Sequence, residues 1–280
     1  MNIRIIVDSA SDMMGKEREH LTVVPMTVTF GEKQYLDGVE LSPAEFYEKL
    51  IEGNELPTTS QVSPYAFEEA ISKAIEAGET PIVITVTSKL SGTYNSARIA
   101  SLQFDEKVYL VDSENVCAGE QILVEYALRL IEEGKNAEEI VEELEVVKKK
   151  ICVVALLDTL EYLRKGGRIS NVSGIVGGML SIKPIVGVVD GVIEVLGKAR
   201  GSKNANNLLA QQIENAGGVD YDMPYALAYS GLDDTAIQKY IRDNEHIWKR
   251  DKEDLNVGII GSTIGTHAGP GAIAAAFFRP

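Results

Sequence analysis

Three hydroxyl-bearing stretches and one histidine carry most of the chemistry open to this sequence. Thr58-Thr59-Ser60-Gln61 sets three hydroxyls and an amide in a row, Leu90-Ser91-Gly92-Thr93 sets a serine beside a glycine, and His267 stands among small residues in Gly265-Thr266-His267-Ala268-Gly269. Hydroxyls and an imidazole are hydrogen-bond donors, so binding of an anion is the first expectation. Residues 81–97 read as a buried strand, a tight polar turn carrying Ser91, and the start of a helix. Such a turn aims unpaired backbone N–H groups and the positive end of the helix dipole at one point. A carboxylate is the anion expected there, with an apolar tunnel behind it. An ordinary capped turn also accounts for residues 58–61, and a plain loop histidine for His267. His20 and His246 lie in charged surroundings and are expected at the surface.

The elements that must position these groups follow from periodicity and punctuation. Residues 3–7 form an apolar strand that stops at Asp8-Ser9, and residues 107–111 another that stops at Asp112-Ser113. Open α/β sheets bind ligands at the carboxyl ends of their strands, so these residues and Ser91 are expected at one sheet edge. Both aspartates would serve equally well as caps. Residues 21–30, broken by Pro25, turn through Gly31-Glu32-Lys33 into a hairpin. Ser42-Pro43-Ala44-Glu45 is a capping box, and Ser63-Pro64 opens a second helix running through residue 77. Residues 116–133 and 137–150 repeat apolar positions at helical spacing. The alternation predicts a first domain, 1–150, built on a mostly parallel sheet flanked by helices.

A second domain, 151–280, is expected to be a mixed or antiparallel sheet with helices, so the fold class is α/β with two domains. Its strongest local signal is Asp190-Gly191 between two apolar runs, a hairpin. Residues 158–163 read as helical, 170–180 as a smooth helix of small residues, and Ser202 as the cap of a helix to residue 216. Residues 225–230 and 257–260 read as strands, 233–242 as a helix, 261–271 as a glycine-rich loop, and 272–278 as the last strand.

Composition bounds the rest. The 280 residues are 45% hydrophobic and 25% charged, the balance of a globular protein, and the net charge of −15 repels nucleic acid and anionic membranes. At most transient membrane contact is expected. The N-terminal apolar run reaches Asp8 too soon for a signal peptide, which predicts a cytoplasmic protein. Cys117 and Cys152 lack metal or redox spacing and read as buried free thiols; no metal and no cofactor are expected. Arg164-Lys165-Gly166-Gly167-Arg168 concentrates three cations in an acidic chain, either a solvated loop or a docking patch.

Taken together, Asp8-Ser9, Thr58-Thr59-Ser60-Gln61, Leu90-Ser91-Gly92-Thr93-Tyr94, residues 161–169 around Arg164-Lys165-Gly166-Gly167-Arg168, and Gly265-Thr266-His267-Ala268-Gly269-Pro270-Gly271 resemble the DegV family. Within it the chain is most similar to the fatty-acid-binding subunits of bacterial fatty acid kinase. The resemblance implies two α/β domains holding a long-chain fatty acid between them. It implies that Thr59, Ser60, Ser91, the Gly92 N–H and His267 hold the carboxylate. It also implies that Arg164, Lys165 and Arg168 face the kinase catalytic subunit, with an acyl-phosphate acyltransferase as a further partner. The protein would then be a lipid carrier rather than an enzyme. Hydroxyl donors without a lysine or arginine salt bridge would suit a site that also accepts an acyl phosphate. One departure is Met13-Met14-Gly15 after Asp12, where the family has Leu-Pro; it bears on the first helix start.

The alternative is a serine hydrolase using Ser91, His267 and Asp8 or Asp112, although Gly-x-Ser-x-Gly is absent. A nucleotide enzyme built on the Ser-Gly-Thr turn lacks both phosphate-loop fingerprints.

Overall fold

The computed structural model describes residues 2–16, 18–53, 55–169, 182–248 and 255–280. The first half runs β1 (Asn2–Asp8), β2 (Leu21–Val24), β3 (Thr27–Phe30), β4 (Lys33–Leu36), α1 (Pro43–Glu52), β5 (Thr58–Ser60), α2 (Pro64–Glu76), β6 (Glu79–Thr85), α3 (Thr93–Ser101), β7 (Tyr109–Asp112), α4 (Ala118–Glu132) and α5 (Ala137–Val147). The second runs β8 (Ile151–Leu156), α6 (Glu161–Lys165), β9 (Ile182–Val189), β10 (Val192–Arg200), α7 (Ser202–Asn215), β11 (Ala226–Tyr229), α8 (Thr235–Asp243), β12 (Val257–Ile259), α9 (Ser262–Ala268) and β13 (Ile273–Phe278).

These strands form three sheets. The first is parallel in the order β2-β1-β6-β7, and the second is a small antiparallel sheet, β4-β3-β5. The third is mixed, β10-β9-β8-β13-β11-β12, with β11 and β12 its parallel pair. All strands of the third sheet lie beyond residue 150. The core does not divide. Helix α4 packs on β1 on one side and on β8, β11 and β13 on the other, and eleven of its residues are buried. A helix apolar nearly all round belongs between two layers. One apolar cluster therefore runs from Ile3 and Ile5 through Ile122 and Leu123 to Ala274 and Phe278.

Several local signals act as expected. Ser42 and Glu45 cap α1 reciprocally, Ser63 caps α2 with Pro64 behind it, and Asp190-Gly191 turns β9 into β10 with both residues at positive φ. Others differ. Gly201, not Ser202, is the residue before α7, and Cys152 is half-buried. His20 sits in a positive-φ turn and is only partly exposed, with Nδ1 3.0 Å from the Ile3 carbonyl. The helix expected over residues 170–180 lies outside the described residues. Two further departures, at residues 58–60 and 261–268, fall at the site.

Candidate functional site

The turn after β6 is pinned from three sides. Val86 N–H donates to Asp8 Oδ2 at 2.8 Å, Ser88 N–H donates to the Asp112 carboxylate, and Thr87 Oγ1 donates to the Gly191 carbonyl at 3.0 Å. Asp8 also caps the 3-10 turn after β1 by taking the Ala10 N–H, whereas Asp112 caps no helix and takes the Ser88 and Glu114 N–H groups instead. Ser91 sits on this fixed turn with Oγ 2.8 Å from Thr93 Oγ1, and it accepts the Thr93 N–H. Gly92 precedes α3 and is exposed; a Cβ there would lie 1.9 Å from Gln61 Oε1.

Residues 58–60 are a strand rather than a capped turn, because β3 offers a free edge on which they pair antiparallel. Alternation along that strand sends Thr59 inward and leaves Thr58 and Ser60 exposed. Thr59 therefore reaches the site and Ser60 does not. Residues 261–271 are not a continuous loop either. The glycines hide α9, which is held between the halves of the molecule and carries His267. Its Gly265 lies against Phe46 and Tyr47, where a Cβ would come within 2.6 Å of the Phe46 ring.

His267 Nε2 meets Thr59 Oγ1 at 2.9 Å, joining two segments 208 positions apart. The ring rests on Gly166, where a Cβ would stand 2.2 Å from Nδ1, and Nδ1 has no hydrogen-bond partner among the described residues. Burial, aided by the nearby Arg168 guanidinium, pushes the imidazole down to about 4, so it is neutral at pH 7. Arg168 donates through Nε to the Leu90 carbonyl at 3.2 Å and through a terminal nitrogen to the Gly166 carbonyl at 2.6 Å. It thereby ties the Ser91 turn to the end of α6, on which the His267 ring rests.

Behind these groups lies a largely apolar cavity of about 110 Å³. Thr59, Ser91, Arg168 and His267 line it together with an apolar wall of Val153, Ala155, Val186, Val188 and Ala274 from the third sheet. Thr59, Arg168 and His267 also line an outer cleft of about 390 Å³, with Pro57, Tyr162 and Lys165. They separate a greasy interior from an open groove. Thr59, Ser91 and His267 thus line one cavity, and Arg168 adds a guanidinium where donors without a lysine or arginine were expected. Arg168 belongs to this mouth rather than to an outward face alone. Arg164 is exposed, and Lys165 pairs with Glu161 at 2.6 Å on the outside of α6.

A hydrolase triad does not form. His267 Nε2 is engaged by Thr59, Ser91 by Thr93, and Asp8 and Asp112 accept backbone N–H groups. Among the described residues no cluster of His, Cys, Asp and Glu has metal-binding geometry, and no helix is long and apolar enough to cross a membrane.

The family model for the DegV proteins, described as uncharacterised, matches residues 2–279. The chain belongs to the DegV family. A DegV domain-containing protein of Caldanaerobacter subterraneus is 36% identical over 99% of this chain and 98% of its own length. A DegV family protein of Thermus thermophilus, described by its fatty acid binding, superposes with a TM-score of 0.88 at 31% identity, covering 99% of this chain and all of that one. A stearic-acid-binding protein of Eubacterium ventriosum gives 0.88 at 26% identity, covering 99% and 98%. The fatty acid kinase B3 protein of Streptococcus pneumoniae, loaded with linoleic acid, shares the fold at 24% identity, with a TM-score of 0.87 over the whole of both chains.

Of the residues that hold the DegV site together, Gln61 and Gly166 stood in motifs the sequence shows, without their roles, whereas Asp37 gave no signal. Gln61 spans from β5 to Ser96 Oγ at 2.8 Å, Gly166 makes room for the His267 ring, and Asp12 and Asp37 reach the start of α9. Only the double glycine at 166 and 167 hinted at a close approach.

Proposed function

We propose that the chain holds one long-chain fatty acid, its hydrocarbon in the cavity and its carboxylate at Thr59, Ser91, Arg168 and His267. The observation that carries this reading is the joining of a polar mouth to an apolar bore, as a ligand with one charged end and a long apolar remainder requires. Burying roughly fifteen methylenes at about 0.8 kcal/mol each stabilises the complex by on the order of 12 kcal/mol before ordering costs. Charge-assisted hydrogen bonds contribute about 1.5 to 3 kcal/mol each. The tail supplies affinity and the mouth sets direction.

The carboxylate then lies at the wall shared with the outer cleft, which a second protein could enter. We read the chain as a carrier that presents the acid to a separate fatty acid kinase subunit, with Arg164 and Lys165 on the approaching face. An acyl phosphate would extend its phosphate into the cleft beside Arg168 and Lys165.

Two measurements test this. Palmitate titrated into delipidated protein should bind with one-to-one stoichiometry, and absence of binding removes the lipid reading. Arg164→Glu should keep palmitate affinity within about twofold, as for an exposed residue that does not line the cavity, while slowing acyl-phosphate formation by a kinase subunit. An unchanged rate removes Arg164 from the docking face.

A further inference from the structure

The helix that carries His267 begins without a cap of its own. Gly261 has no side chain to accept the leading N–H groups, and a helix of seven residues depends on partners outside itself. The acceptors come from the other half of the molecule. Asp37, 225 positions earlier, takes the Ser262 N–H on Oδ1 at 3.1 Å, and its Oδ2 takes the Thr263 N–H at 3.3 Å. Ser9 Oγ donates to the same Oδ2 at 2.9 Å and fixes the carboxylate plane. Beside it, Asp12 Oδ1 accepts the Gly261 N–H at 2.8 Å while its other oxygen takes the Cys117 thiol. Asp37 is only 2% exposed and does not line the cavity.

We propose that Asp37 is a positioning residue for the acid-binding mouth: by capping α9 across the interface between the halves, it fixes His267 against Thr59 and Gly166. A carboxylate suits this task because it offers one oxygen to each of two adjacent N–H groups and complements the positive end of the helix. The far end of α9 holds the imidazole, with Arg168 the charged group beside it, so a shift of the first turn moves the ring out of its socket. The inference uses the reading of the mouth as the head-group site, but its main readout needs no ligand.

Asp37→Asn is the direct test, since the amide keeps one oxygen and turns an N–H₂ group toward a helix N–H. The side chain of His267 in delipidated protein, followed by proton NMR, should titrate near the ordinary histidine value of about 6.5 in the variant. In the parent chain it should stay neutral down to about 4. Palmitate retention should weaken about five- to tenfold, the size of a lost cap. An unchanged His267 titration in a folded variant overturns the proposal, even if retention falls. Should Asp37→Asn not fold, Ser262→Pro decides: proline at the first helical position keeps the helix and removes one N–H from Asp37. It should raise the His267 titration in the same direction, and failure to do so overturns the proposal. If the parent chain takes no fatty acid yet Asp37→Asn frees the ring, the positioning role stands and the ligand reading fails.

Discussion

Ser91 meets its proposed carboxylate as a neutral hydroxyl held by its own turn, so its removal should cost the acid one hydrogen bond and the turn only its two local bonds to Thr93. Ser91→Ala is expected to weaken palmitate binding about tenfold by calorimetric titration, with the melting temperature moving by no more than a few degrees. Asp8 and Asp12 act on stability instead. Burial is the largest cause that pushes each carboxyl up to about 7 from 3.8, against backbone N–H groups and the Cys117 thiol that pull it down. Between those values the folded chain holds protons that the unfolded chain has released. Their contribution is therefore fully present below about 4 and is lost as pH rises through about 7. His267, depressed to about 4 from 6.5, acts in the opposite sense, losing stability as pH falls from 6.5 toward 4. Asp12→Asn removes one carboxyl while keeping an oxygen for Gly261. Its unfolding free energy from urea titrations should decline less between about pH 5 and about pH 8 than that of the parent chain. An equal or steeper decline would contradict the assignment. Thr59, Ser91 and His267 were legible because their short motifs survive in one dimension. Arg168 was only half legible, since its bond to Leu90 spans 78 positions and no spacing rule announces it.

Helices with their own caps, α1 and α2, could be read from a few adjacent residues, whereas α9 could not. Its glycines look like a loop in sequence, and its capping carboxylates arrive from Asp12 and Asp37, far away in the chain. Strand β5 was hidden for a related reason: three hydroxyl residues become a strand because β3 has an edge to give them. The approach of α6 to α9 depends on two more glycines. A Cβ at Gly166 would stand 2.2 Å from His267 Nδ1, and one at Gly269 2.3 Å from the Tyr162 ring. Gly166→Ala should therefore displace the imidazole from Thr59 and weaken palmitate binding, at a cost of about 1 to 3 kcal/mol in stability, as overpacking elsewhere does. Solved coordinates of the variant and a denaturant titration check both outcomes. A ring left in place would show that α6 moves instead.

The two halves share one core through α4, and the cavity lies between the inner face of the third sheet and the loops beyond the carboxyl ends of the first. The parallel first sheet and the hairpin in the second half were legible from alternation and turn residues; the continuity of the core was not, because α4 shows its two apolar faces to different sheets only after folding. Ala155 and Ala274 are register neighbours on the cavity floor. Ala274→Leu should fill part of the bore, leaving the fold intact while shortening the longest fatty acid accepted. A chain-length series of binding isotherms reads this directly, and an unchanged cutoff would place the tail elsewhere. The most direct test of the whole account is organic extraction of the purified protein followed by quantitative mass spectrometry, repeated after delipidation and exposure to palmitate. Close to one long-chain fatty acid per chain is expected in the reloaded sample, and it should be lost when the cavity is filled. An extract without acyl lipid, together with no uptake on reloading, would contradict it.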